Sequence, residues 1–219
     1  MKKILLIAAL IGTCGLVRAT TINAPSSLIG TNALDGNSAY AWGIKIAVPT
    51  GQQVTTAEID FTSINLTVGN SSGTGYLYTD LLNTKSGTGT TSGTTGLTTA
   101  TDNDGSGDYW ATKFSGANIT SIGTAFFKSV GTTLTWAYKF DANGLAALNS
   151  YLNLNGGYFS IGLDPDCHYS VGGLSFNYTT GSKPNTSVPD DALTAFLVVI
   201  SLGCLEIFRR RLVPAVSKA

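Results

Sequence analysis

Charge is what this sequence has least of. Only 12% of its 219 residues are Asp, Glu, Lys or Arg, about half the share usual in soluble proteins. The formal net charge is +0, so the chain lacks the basic field that nucleic-acid binding needs, and it has no long acidic tail. One His and three Cys are too few for a zinc cluster or a disulfide framework. Gly fills much of the chain, 26 residues of it, together with Thr, Ser and Asn, and 43% of the residues are hydrophobic. Turn-formers and neutral polar side chains in that proportion suit an all-β extracellular domain.

The neutrality conceals a segregation. Between positions 20 and 187 six Lys stand against ten acidic residues, a net of −4, and the other basic residues lie near the two ends. Lys2 and Lys3 precede an apolar run over 4–17, and Val17-Arg18-Ala19 follows. A charged start, an apolar stretch of secretory length and a V-x-A site predict a signal peptide over 1–19, cut by signal peptidase between Ala19 and Thr20. The run is short for a spanning helix. Ile11-Gly12-Thr13-Cys14 offers a lipoprotein reading anchored at Cys14, against which Thr13 is a poor residue to precede a lipidated Cys.

At the other end a polar linker over 182–187 leads to Val188-Pro189-Asp190, an apolar helix over 192–208, and Arg209-Arg210-Arg211. The uninterrupted apolar part, 192–205, reaches only ~21 Å as helix, against a hydrocarbon core of ~30 Å. Extension to 208 places Glu206 near the interface, and the Arg cluster then stays cytoplasmic with the tail 212–219. A short span with a basic stop suits a transient anchor.

That order of Val-Pro-Asp, apolar helix and Arg cluster resembles the PEP-CTERM class of bacterial sorting signals, in its VPDSG-CTERM variant. Asp191-Ala192 stand where the variant usually has Ser-Gly, and 212–219 trail past the Arg cluster. The resemblance implies recognition of 188–211 by an exosortase-type membrane enzyme, with transient inner-membrane anchoring. It also implies release or transfer to the cell surface or matrix of an exopolysaccharide-producing bacterium. Cys14 then leaves with the signal peptide and Cys204 lies in the terminal helix, so Cys167 alone remains in the body and can form no internal disulfide.

The body over 20–181 alternates with period two. Tyr40, Trp42, Ile44, Ile46 and Val48 share one phase, as do Leu134, Trp136, Tyr138 and Phe140; Phe159, Ile161 and Leu163; and Leu174, Phe176 and Tyr178. Ile59 and Phe61 slip phase before Ile64 and Leu66, which reads as a bulge near Thr62-Ser63. Shorter strands are expected over 75–82, 109–114 and 125–130. Asp141 caps a short helix over 142–152, ended by Asn155-Gly156-Gly157. The low-complexity stretch 84–106 reads equally as a long loop or as Thr-rich edge strands. One-sided alternation through about eight strands predicts an all-β fold, an antiparallel two-sheet sandwich of jelly-roll type.

Two stretches carry the candidate chemistry. Over 102–108, Asp102, Asp104 and Asp108 with intervening Gly offer oxygen ligands to calcium, or form a solvated turn. Asp164-Pro165-Asp166-Cys167-His168-Tyr169 follows an apolar strand and resembles the ending of sandwich domains found in many PEP-CTERM proteins. Asp164 and Asp166 suit a cation or an Asx-type turn, and a carboxylate pair is also what a glycoside hydrolase requires. His168 is the only His, and Cys167 and His168 diverge as strand neighbours. Tyr109, Trp110 and Tyr169, with Tyr76 and Tyr78, offer flat faces to sugars or belong to the core. The expectation is an exported, non-catalytic structural, adhesive or glycan-binding module with polysaccharide as a partner. The alternative is a secreted carbohydrate-active hydrolase using Asp164 and Asp166.

Overall fold

The alternating segments pair into two sheets. The computed structural model describes residues 18–85, 95–102 and 107–183, which hold ten strands and two α-helices. The first sheet runs β1 (Arg18–Asn23), β10 (His168–Ser182), β4 (Gln52–Val68), β8 (Thr133–Lys139), with β2 (Gly30–Leu34) also on β10. The second runs β6 (Thr95–Thr101), β3 (Ser38–Lys45), β9 (Tyr158–Pro165), β5 (Gly75–Leu82), β7 (Ile119–Phe127). Every pairing is antiparallel, so the chain is an all-β, two-sheet sandwich. The compact unit Met1–Ser182 contains it.

Period two decides what each face meets. Ile59 and Phe61 on β4, Leu174 and Phe176 on β10, Trp42 and Ile44 on β3, and Phe159 and Ile161 on β9 all turn inward and are buried. Aromatic pairs bridge the sheets, Phe159 against Phe176 at 5.1 Å and Phe127 against Tyr169 at 4.9 Å between ring centroids. Each such ring contributes about 1.5–3 kcal/mol by its burial. With no disulfide among the described residues, that core is what holds the sheets together. The expected bulge is present: β4 slips register against β8 between Phe61 and Ile64, which keeps Ile64 and Leu66 inward after Phe61.

The helix α2 (Ala142–Leu154) forms where its cap predicts. Asp141 Oδ1 accepts from the Gly144 amide at 2.7 Å, and Leu148, Tyr151 and Leu152 bury its inner face. It ends at Asn155, beyond which Gly156 and Gly157 take φ of 64° and 92°, values that favour glycine.

Three expectations need correcting. Residues 109–114 are not a strand: Tyr109–Lys113 is the short helix α1, because Asp108 caps it by accepting from the Ala111 amide at 3.0 Å. The sandwich therefore carries two helices. The strand placed over 125–130 is β7, which begins earlier at Ile119 and ends at Phe127. The short first strands β1 and β2 escaped the pattern because both are mostly polar, with too few apolar residues to show a period. Part of the Thr-rich stretch is an edge strand, β6, paired along β3 from Thr101 to Thr95.

Several expectations lie outside the described residues: the signal helix, Asp104, the sorting motif of Val188, Pro189, Asp190 and Arg209 to Arg211, the helix 192–208 and the tail 212–219. Ala19 and Thr20, which flank the predicted cleavage bond, are described. They lie in β1 opposite Thr179 and Tyr178. Among the described residues no helix is long and apolar enough to cross a membrane.

Candidate functional site

Chemistry gathers on the outer face of the second sheet, where register sets each neighbour. On β5 the residues Tyr76, Tyr78, Asp80 and Leu82 share that face, while Leu77, Thr79 and Leu81 turn inward. Phe126 stands opposite Tyr76, Asp164 opposite Tyr78, and Gly162 opposite Asp80. Asp164 is thus the diagonal neighbour of Asp80, a relation that brings side chains within roughly 7–8 Å.

One end of this face is covered. Helix α1 lays Trp110 over β9 and β3, against Ala39, Ala41 and Leu82. The indole is only 6% exposed and its Nε1 donates to the Leu163 carbonyl at 3.4 Å. The covering depends on Gly162, where a Cβ would lie 2.7 Å from Trp110 Cδ1. At the other end the aromatics are open. Tyr76 and Phe126 are 38% and 44% exposed, with ring centroids 4.8 Å apart, and Tyr78 stacks beside Tyr76 at 6.2 Å.

Between the lid and the platform lie the carboxylates. Asp164 is 0% exposed and Asp80 1%. Asp164 Oδ2 accepts the Tyr109 amide at 2.6 Å, but Oδ1 and both oxygens of Asp80 have no hydrogen-bond partner among the described residues. Burial pushes the Asp80 carboxyl up to about 8; the charge of Asp108, a hydrogen bond to Asp108 that only the protonated acid can make, and the charge of Asp164 add to the effect. Burial likewise raises Asp164 to about 7, opposed by the Tyr109 amide and reinforced by Asp102, Asp108 and Asp166. Four of these acids, Asp80, Asp102, Asp108 and Asp164, come from three separate segments, and Asp102 is itself 4% exposed. As the side chains stand, no three His, Cys, Asp or Glu among the described residues are arranged to hold a metal ion.

No family model matches this chain, and no curated protein matches it. Its chemistry has to be read from the geometry.

The structure sorts the expected residues. Asp102, Asp108 and Asp164 come together, with the half-buried Asp166 two residues beyond Asp164 on the same strand course. Tyr169 is not a surface residue: it is 0% exposed and its hydroxyl donates to the Tyr76 carbonyl at 2.8 Å. Trp110 is likewise a lid rather than an open sugar platform. Tyr109 is half-buried, with Lys113 Nζ 5.2 Å from its ring centroid.

Cys167 and His168 diverge. The thiol is buried, donates to the Thr74 carbonyl at 3.5 Å and has its pKa raised by burial. His168 Nδ1 faces Asp35 Oδ1 at 3.4 Å near the surface. Sequence reasoning missed Asp80 and Phe126. The signal for Asp80 was an acid set in an apolar strand, in phase with Tyr76 and Tyr78. A groove of about 460 Å³ lies elsewhere, on the first sheet beside Thr20, Glu58, Lys139 and Tyr178. It shares no residue with the acidic face.

Proposed function

We propose that this is an exported, exosortase-sorted β-sandwich of jelly-roll type, acting non-catalytically at the cell surface or in the exopolysaccharide matrix, where it contacts glycan. The strand orders β1-β10-β4-β8 and β3-β9-β5-β7 support the jelly-roll assignment. Sorting rests on Lys2, Lys3 and the apolar run at one end and on Val188-Pro189-Asp190, 192–208 and the Arg cluster at the other. Polysaccharide contact rests on one observation: Tyr76 and Phe126, with the half-buried Tyr78 beside them, form an open aromatic platform next to carboxylates. Flat apolar faces stack on sugar C–H surfaces, and adjacent acids accept hydrogen bonds from sugar hydroxyls.

The test is retention of the purified protein on immobilised polysaccharides. Tyr76→Ala and Phe126→Ala should each weaken binding about tenfold, the equivalent of losing one aromatic contact. Retention of both variants at the parent's strength removes the platform from the argument. Sorting is tested separately by mass spectrometry of the mature chain, expected to begin at Thr20 and to lack Arg209 to Arg211. Membrane fractions holding a chain that still ends at Ala219 would show a permanent anchor instead.

The hydrolase reading finds support in the raised Asp164 carboxyl, the state a general acid needs. Its weakness is access, since Asp164 is 0% exposed. Hydrolysis of any bound polysaccharide that disappears in Asp164→Asn would favour it.

A further inference from the structure

We propose that Asp80 and Asp164, with Asp108 at their rim, form a binding site for a hard divalent cation of the calcium class on the outer face of the second sheet. Three carboxylate oxygens here, both of Asp80 and Oδ1 of Asp164, are buried without a donor. A buried carboxylate left without a partner is costly, and proteins meet that cost with a donor, a proton or a cation. The backbone amides nearest the pair are spent elsewhere. The Tyr109 amide serves Asp164 Oδ2, and the Ala111 amide serves Asp108 Oδ1. Lys113 stands over the Tyr109 ring, and His168 faces Asp35.

The strand register makes the site. Asp80 opposes Gly162 and Asp164 opposes Tyr78, so the two carboxylates are diagonal neighbours on one face, beside the Trp110 indole that packs over Gly162. No third ligand converges on them as the side chains stand. The pair therefore supplies two carboxylates from the buried side, and water enters from the half-buried Asp108 side to complete the shell, as hard cations accept. All-oxygen donors select calcium or magnesium over zinc or copper. The competing state is a proton on each carboxyl, and the experiment must separate the two. This inference does not depend on glycan binding.

Terbium, a luminescent stand-in for calcium, is titrated into the full chain with excitation of tryptophan. Trp110 donates to the Leu163 carbonyl, one residue from Asp164, so an ion at Asp164 lies within transfer range. Saturable terbium emission is expected, displaced by calcium and lost in Asp80→Asn and in Asp164→Asn. A second measurement needs no variant: thermal unfolding of the parent in calcium and in chelator. At a hundredfold excess over Kd, calcium should raise the midpoint by about 5–10 °C. Absence of both sensitised emission and a calcium-dependent midpoint overturns the proposal and leaves the pair protonated. So does emission that survives in both variants, which would place the ion elsewhere.

Discussion

Replacing Asp80 by Asn in metal-free buffer should change how stability depends on pH, and the sign can be worked from the structure. Asp80 is 1% exposed and its carboxyl is raised from 3.8 to about 8, chiefly by burial and next by Asp108. Between those values the unfolded chain has released a proton that the folded chain still holds. Unfolding therefore becomes easier as pH rises. The contribution of the neutral carboxyl is complete below about pH 4 and is lost as pH climbs through about 8. Four pH units at roughly 1.4 kcal/mol each give a ceiling of about 6 kcal/mol. Net stabilities of about 5–15 kcal/mol leave little room for that whole amount, so relaxation and water penetration bring the expected figure to about 3 kcal/mol. Asn has the shape of the protonated acid and never charges. Asp80→Asn should match the parent at pH 4 and exceed it at pH 8 by about 3 kcal/mol, roughly 6–12 °C in midpoint for a domain of this size. The assay is thermal or urea unfolding with chelator from pH 4 to 8.5. A difference that stays constant with pH, or a variant weaker than the parent at pH 8, refutes the reasoning.

Three further substitutions test separate parts of the structure. Gly162→Ala places a Cβ 2.7 Å from Trp110 Cδ1 and should lift the α1 lid, costing about 1–3 kcal/mol; a silent Ala in urea unfolding would mean the lid yields freely. Asp141→Ala removes the α2 cap made to the Gly144 amide at 2.7 Å and should cost about 0.5–2 kcal/mol, while Asp141→Asn restores most of it. Tyr169→Phe deletes the hydroxyl that donates to the Tyr76 carbonyl at 2.8 Å, but that carbonyl also accepts the Asp166 amide at 3.0 Å. Its cost in the same assay should stay near 1 kcal/mol, and a loss of several would assign the hydroxyl a larger part in the core.

The inward faces were legible in the sequence because a two-residue period needs no tertiary information. Trp42 and Ile44, Phe159 and Ile161, and Leu174 and Phe176 turn inward as their spacing requires. The phase slip at Phe61 likewise announced its bulge. Segment 109–114 misled because its aromatics fit a strand, while the deciding signal was the cap at Asp108. Tyr169 and Trp110 were offered as surface rings because the sequence does not say which sheet face a partner covers. Asp80 was passed over for a related reason: its burial depends on neighbours, Gly162 and Asp164, that come from β9. Nothing local to Thr79-Asp80-Leu81 brings those residues near.

Low charge and the position of the candidate site have a common physical origin. On the first sheet, neutral side chains satisfy one another across strands: Thr21 donates to Asn177 at 2.6 Å, the Thr56 and Thr179 hydroxyls lie 2.6 Å apart, and Asn65 donates to Thr133 at 3.1 Å. Such pairs keep a strand surface wetted without Lys or Glu, which is how a chain with 12% charged residues can still present a polar face. They also make that face uniform, with hydroxyls and amides that bond water and sugar alike. The second sheet departs from this economy on its outer side. There the chain buries Asp80 and Asp164 without donors and leaves Tyr76 and Phe126 open, two features that each reduce stability or solubility. Neither feature adds to the stability of the fold. Their coincidence on β5 and its two neighbouring strands is the physical ground for placing recognition on that face rather than in the groove of the first sheet.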